Sequence, residues 1–89
     1  MRYTLFMKNI WYVYIVKCAD GTLYTGIAED VAKRVEIHNA GKGAKYTRGR
    51  APVHLLWSES HQSKSSALRR EYMIKQLKKS NKELMINNG

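Results

Sequence analysis

The chain has 89 residues and a mass of 10.3 kDa, which allows one domain with one modest core and excludes a two-domain arrangement. Hydrophobic residues make up 44% and charged residues 26% of the chain, a balance typical of a folded protein and not of a disordered tail. Sixteen Lys and Arg against seven Asp and Glu leave a net charge of +9, which favours a polyanionic partner and makes nucleic acid the leading class.

Cysteine usage and hydropathy indicate where the protein works. The lone Cys18 cannot form an intrachain disulfide and has no His or Cys neighbour at metal-site spacing, so it is interpreted as a buried apolar side chain in a reducing compartment. Residues 1–10 are too short and too charged for a signal peptide, and no later run approaches the ~20 apolar residues of a membrane span. We therefore expect a cytoplasmic protein with no membrane partner.

The first predicted elements form a hairpin. Residues 11–16, WYVYIV, are apolar or aromatic at both alternating sets of positions, which predicts a central strand covered on both faces. The turn-forming residues 19–21 follow, and the β-branched and aromatic residues 22–27 predict the return strand.

The length of the hairpin loop decides which side chains share a face. A two-residue turn would pair Tyr14 with Ile27 and place Tyr14 and Tyr24 on opposite faces of the sheet. A three-residue loop with a left-handed Gly21 would pair Tyr14 with Gly26 and place both tyrosines on one face. We predict the second register, and we expect Gly26 to leave open space where a substrate approaches.

The next elements are two helices and a strand. Asp30 is a suitable N-cap for a helix over residues 31–40, and Gly41 stands where a left-handed C-terminal residue is favoured. A third strand is predicted over residues 53–59, and serines then cap a second helix from about residue 67 to 79.

The order β-β-α-β-α predicts an α/β (α+β) fold in which helices flank a three-stranded antiparallel sheet. An N-terminal extension over residues 1–10, one domain over residues 11–80 and a polar C-terminal tail over residues 81–89 complete the expected organisation.

Two helix faces carry polar groups that suggest chemistry. Arg34 and His38 are four residues apart on the first helix and are expected to emerge together at the edge of the sheet. Glu71 projects from the apolar face of the second helix, where a carboxylate needs a compensating positive charge. An ion pair with Lys75, one turn further on, is the structural alternative for Glu71.

A Gly-rich basic loop lies between the first helix and the third strand. Its cations are suited to phosphate contacts and its aromatic ring to stacking on a base, while a merely solvated basic loop is the alternative. The candidate nucleic-acid-binding residues are Lys42, Lys45, Tyr46, Arg48 and Arg50.

The triplets YVY at residues 12–14 and YTG at residues 24–26 resemble the two signature triplets of the GIY-YIG nuclease family. The family pattern continues with an Arg, a His or Tyr four residues later and a metal-binding Glu on a later helix, which correspond to Arg34, His38 and Glu71. The similarity covers residues 11–79.

Two further segments resemble the short standalone bacterial members of that family, the UPF0213-like proteins. They are the loop GKGAKYTR at residues 41–48 and the helix segment LRREY at residues 68–72. The chain departs from the family pattern at Tyr12, where the family has Gly, and at Thr25, where it has Ile. The Asn that many members place after the metal-binding Glu is left unassigned among Asn81, Asn87 and Asn88.

The resemblance implies an endonuclease that hydrolyses DNA phosphodiester bonds, in DNA repair or recombination, with one divalent ion on Glu71. A single hard oxygen ligand points to Mg²⁺ or Mn²⁺. The resemblance also implies that Tyr24 takes the proton of the attacking water. Tyr14 can orient Tyr24 by hydrogen bonding, Arg34 can bind the scissile phosphate, and His38 can then receive or relay a proton.

DNA is favoured over RNA as the partner on the resemblance alone, and no protein partner is identified. The alternative function is a non-catalytic nucleic-acid-binding module, for DNA or RNA, that retains the nuclease fold.

Overall fold

The computed structural model describes residues 10–88, so residues 1–9 of the expected N-terminal extension over residues 1–10 lie outside the described residues. Within that range the elements are, in chain order, β1 (Trp11–Lys17), β2 (Leu23–Ala28), α1 (Val31–Asn39), a 3₁₀ turn (Lys45–Thr47), β3 (His54–His61), α2 (Lys64–Lys75) and α3 (Lys79–Asn88). The strands form one antiparallel sheet in the order β2-β1-β3. The predicted fold class is therefore confirmed, with one helix more than expected.

Strand β1 is the centre of the sheet and carries both halves of the core. Val13 and Ile15 point to one face, where they pack against α2, and Tyr14 and Val16 point to the other, where partly buried residues of α1 cover them. All four side chains are buried. Because both faces are covered, the strand is apolar at every position in its middle, as the sequence predicts.

The hairpin between β1 and β2 has the predicted three-residue loop. The N–H of Gly21 donates to the carbonyl of Cys18 at 2.9 Å, and Gly21 has φ +86°, a conformation that favours glycine. Tyr14 consequently pairs with Gly26, and Tyr24 lies on the same face of the sheet as Tyr14.

The helix caps explain where α1 and α2 begin. The carboxylate of Asp30 accepts the N–H of Lys33 at 3.0 Å, and Gly41 has φ +76° after the end of α1, as predicted. The hydroxyl of Ser63 accepts the N–H of Ser66 at 3.1 Å, so α2 begins at residue 64 and not near residue 67. The later serines of that run lie inside the helix.

A network around Glu59 fastens α2 to β3. The carboxylate of Glu59 accepts hydrogen bonds from Nε2 of His61 at 2.8 Å and from Nε of Arg70 at 2.9 Å. His61 Nδ1 lies 2.6 Å from the hydroxyl of Ser66 in the first turn of α2. These contacts fix the position of the helix that carries Glu71.

The C-terminal segment differs from its expectation. Residues 81–89 were predicted to be a polar tail, but the chain is helical through residue 88 as α3. Met85 and Ile86 of this helix pack against the sheet face that carries Val13 and Ile15. Burial of these two side chains stabilises a helix whose own sequence is mostly polar.

Candidate active site

Tyr14 and Tyr24 form the floor of the candidate site. Their ring centroids are 6.4 Å apart, and Tyr14 is fully buried while Tyr24 is partly exposed. A Cβ atom added at Gly26 would lie only 2.6 Å from the hydroxyl oxygen of Tyr14. The expectation that Gly26 leaves open space for a substrate is therefore wrong, because the Tyr14 hydroxyl fills that space.

His38 is buried between Tyr14 and a residue that had not been a candidate, Thr47. Its Nε2 atom is 2.7 Å from the Tyr14 hydroxyl oxygen, and its Nδ1 atom is 2.7 Å from Oγ1 of Thr47. Arg34 is exposed, so the prediction that Arg34 and His38 emerge together is correct only for Arg34. The helical periodicity of α1 could not predict the burial of His38, because the 3₁₀ turn folds over the helix and covers the imidazole.

Arg34 stands at the wall of an open groove of about 360 Å³. The ring of Tyr24, the edge of His38 and the side chain of Lys42 line the same groove. The four predicted catalytic residues are therefore gathered at one place, with Tyr14 joined to the groove through its hydrogen bond to His38.

Glu71 is mostly shielded from solvent, with 18% of its side chain exposed. Its Oε2 atom lies 3.2 Å from Nζ of Lys75, and that same Nζ lies 5.6 Å from the ring centroid of Tyr24. The compensating charge predicted for Glu71 is thus supplied by Lys75, which connects the carboxylate to the tyrosine floor.

The basic loop is more closely integrated into the site than predicted. Tyr46 stacks on Tyr24 with centroids 5.8 Å apart and planes at 23°, and the Arg50 guanidinium lies 4.1 Å from the Tyr46 centroid. Nε of Arg50 also donates to the Asp20 carboxylate at 3.0 Å. Tyr46 and Arg50 are thereby engaged with the protein itself, whereas the exposed cations of the predicted set are Lys42, Lys45 and Arg48.

Residues 10–84 match the family model described as the GIY-YIG catalytic domain. The chain belongs to the GIY-YIG family. It is 60% identical over 74 residues to a UPF0213 protein of Halobacterium salinarum, a match that covers 83% of this chain and 96% of that protein. It is 64% identical over 64 residues to a UPF0213 protein of Staphylococcus aureus, covering 72% of this chain and 78% of that protein.

Two solved structures are similar to this fold. The solution NMR structure of a UPF0213 protein from Bacillus halodurans is 46% identical, with a TM-score of 0.57, and the match covers 88% of this chain and 83% of that chain. The solution NMR structure of a protein from E. faecalis is 34% identical, with a TM-score of 0.57, and the match covers 85% of this chain and 82% of that chain. The resemblance to UPF0213 proteins is confirmed.

In GIY-YIG terms, the two signature triplets lie side by side on β1 and β2. The unassigned Asn residues of α3 are all exposed, and none is singled out as a counterpart of the family Asn.

Across residues 10–88, no three His, Cys, Asp or Glu side chains gather as a ready-made metal site. In the same range, no helix combines the length and apolarity needed to cross a membrane.

The electrostatics of the site keep Tyr14 and His38 uncharged at neutral pH. Burial raises the pKa of the Tyr14 phenol above its ordinary value, the Tyr24 phenol adds to the rise, and the charge of Arg34 opposes it. The negative charge of Glu71 raises the pKa of Tyr14 further. Burial lowers the pKa of His38, and the charge of Arg34 lowers it again. At neutral pH the hydrogen bond therefore joins an uncharged phenol to an uncharged imidazole.

We expect the low pKa of His38 to appear in the pH dependence of folding. Because the unfolded chain binds this proton near the ordinary pKa of about 6.5 and the folded protein only at lower pH, the stabilisation is complete above that value. It is lost as the pH falls from about 6.5 to the folded-state pKa, with a slope of at most about 1.4 kcal/mol per pH unit. Urea unfolding of wild type and of His38→Gln between pH 7.5 and 5 measures it.

The His38→Gln variant should show a shallower fall in unfolding free energy, since the other histidines, His54 and His61, are present in both proteins. Equal slopes for the two proteins would contradict a lowered pKa for His38.

Proposed function

We propose that this protein is a metal-dependent endonuclease that hydrolyses DNA phosphodiester bonds, with DNA repair or recombination as its setting. The observation that carries the proposal is the convergence of Tyr14, Tyr24, Arg34 and His38 around one groove, to which Glu71 is connected through its ion pair with Lys75. Membership of the GIY-YIG family supports the reaction class. A formal charge of +9 supports a polyanionic substrate.

The groove offers the groups that phosphodiester hydrolysis requires. The Arg34 guanidinium is exposed at its wall and would bind two phosphate oxygens at once, which positions the substrate and stabilises its developing charge. The Tyr24 hydroxyl would take the proton of the attacking water, and Tyr14 would orient it from the neighbouring strand. Nε2 of His38 lies 2.7 Å from the Tyr14 hydroxyl oxygen, and His38 would receive or relay a proton.

Glu71 supplies one carboxylate for a divalent ion. The carboxylate is a hard oxygen ligand, and its ion pair with the Lys75 ammonium would have to open or rearrange to admit the ion. Glu71 would hold the ion, Mg²⁺ or Mn²⁺, with water and phosphate as its other ligands. When bound, the ion would supply charge neutralisation at the scissile phosphate and at the leaving oxygen.

The exposed cations of the basic loop suit the phosphates that flank the scissile bond. Lys42 lines the groove itself, while Lys45 and Arg48 extend the positive surface along the loop. Such contacts position a strand without reading its sequence, so we infer recognition of backbone shape and not of bases.

One contact favours a second candidate, a binding module without cleavage. The ion pair between Glu71 and Lys75 satisfies the carboxylate inside the protein, so that a metal ion must displace or share that partner. In this case the groove and the basic loop would hold nucleic acid without cutting it.

The two candidates differ in metal-dependent cleavage. We would incubate the wild type with labelled single-stranded, duplex, flap and branched DNA, and with a matched RNA, in Mg²⁺, Mn²⁺ or EDTA. Tyr24→Phe removes only the hydroxyl and keeps the ring that stacks on Tyr46; Tyr72→Phe, at an exposed tyrosine of α2, is the matched control.

We expect cleavage with metal that stops in EDTA, falls by about 10²-fold in Tyr24→Phe and persists in Tyr72→Phe. Salt-sensitive binding with no product under any condition would favour the binding module and contradict the nuclease.

A further inference from the structure

Thr47 ends a chain of hydrogen bonds that begins at Tyr14. Oγ1 of Thr47 donates to the carbonyl oxygen of Ala44 at 2.9 Å and lies 2.7 Å from Nδ1 of His38. The Ala44 carbonyl also accepts the backbone N–H groups of Thr47 at 3.0 Å and of Arg48 at 3.2 Å. The hydroxyl of Thr47 has one proton, and where Ala44 receives it, the proton between Thr47 and His38 belongs to Nδ1 of the imidazole.

This direction determines the role of the other ring nitrogen. A neutral imidazole carries one proton, so Nε2 of His38 is unprotonated and accepts the hydroxyl proton of Tyr14 across 2.7 Å. We propose that Thr47 is a positioning residue that holds His38 in its Nδ1-protonated form, so that Nε2 is free to take the proton of Tyr14. The inference rests on the proposed nuclease function.

The proton transfer is balanced within the pair. The O–H bond of Tyr14 breaks, an N–H bond forms at Nε2, and His38 becomes an imidazolium whose Nδ1–H remains hydrogen-bonded to Oγ1 of Thr47. At rest the pair stays neutral, because burial raises the pKa of Tyr14 and lowers that of His38. The other N–H group of the imidazolium, at Nδ1, is already hydrogen-bonded to Thr47, so no new hydrogen bond has to form during the transfer.

Valine at position 47 has nearly the same shape but no hydroxyl. Thr47 is fully buried, so the Nδ1–H of His38 would be left without an acceptor in an apolar place. The imidazole would then favour a proton on Nε2, which would donate to Tyr14 and could no longer accept its proton. Serine at position 47 keeps the hydroxyl and should keep the original form.

The test combines the spectra of the ring nitrogens with kinetics. We would record ¹⁵N NMR of the histidine rings in wild type, Thr47→Val and Thr47→Ser without nucleic acid, using His54 and His61 as internal references. We expect a protonated Nδ1 on His38 in wild type and Thr47→Ser, and a protonated Nε2 in Thr47→Val. In cleavage, kcat of Thr47→Val should fall roughly 10- to 100-fold with little change in KM, and Thr47→Ser should restore it.

A wild type with the proton on Nε2 of His38 would overturn the proposal, as would a Thr47→Val protein that keeps both the wild-type spectrum and the wild-type kcat. If the wild type cuts no substrate, the nuclease function fails, and the spectra alone decide the role of Thr47. If Thr47→Val does not fold, the wild-type and Thr47→Ser spectra still decide whether Nδ1 carries the proton.

Discussion

A Glu71→Gln variant is expected to lose metal-dependent cleavage by at least about 10²-fold while its fold and its binding of DNA in EDTA are preserved. Glutamine keeps the size of the side chain but lacks the negative charge that would hold a divalent ion. An ion at this position supplies several kcal/mol of charge stabilisation, and each 1.36 kcal/mol is a factor of ten in rate. Single-turnover cleavage with Mg²⁺ measures the loss.

Direct metal binding provides a second measurement. Paramagnetic Mn²⁺ should broaden the NMR signals of residues near Glu71 in wild type and not in Glu71→Gln. Glu83→Gln makes the same chemical change at an exposed residue of α3 and should behave as wild type. Full cleavage and unchanged broadening in Glu71→Gln would remove Glu71 from the site.

A Gly43→Ala variant is expected to displace His38 and to reduce cleavage by about 10²-fold. The added Cβ would overlap Nδ1 of His38 and would lie 2.8 Å from its Cε1 atom. Since the imidazole is buried between Tyr14 and Thr47, it cannot move without losing both hydrogen bonds. We expect a loss of stability of about 1–3 kcal/mol, measured by urea unfolding.

Gly49→Ala is the matched control for Gly43→Ala. Gly49 has φ +81° but open space around its Cβ position, so alanine there strains the backbone without touching His38. We expect a stability loss of about 1 kcal/mol and unchanged histidine spectra. If Gly43→Ala leaves the His38 ring signals and the cleavage rate unchanged, the close approach of the loop to His38 has no functional role.

The tyrosine floor could be predicted from the sequence because its cause is local. Gly21 sets the loop, the loop sets the register, and the register places Tyr14 and Tyr24 on one face. The cap at Asp30 is likewise decided within a few residues. The face of α2 that carries Glu71 follows from helical spacing, and its partner Lys75 lies one turn away on the same helix.

Other features depend on contacts between distant segments, which periodicity does not encode. Thr47 and Tyr46 belong to a loop whose composition indicates only flexibility and charge, yet they contact His38 and Tyr24. Helix α3 was missed because Met85 and Ile86 are adjacent and not spaced as an amphipathic stripe. The glycine at position 43 was the one signal in the sequence. Its φ is not positive, so a glycine is required there by the close contact with His38 and not by the backbone conformation.

The site takes one side chain from nearly every part of the fold: β1, β2, α1, the 3₁₀ turn and α2 each contribute to it. Tyr14 and Glu71 are far apart in the sequence, so a fragment of the domain cannot contain both. For the same reason, a change of packing in any one element alters the positions of the site side chains that the other elements hold.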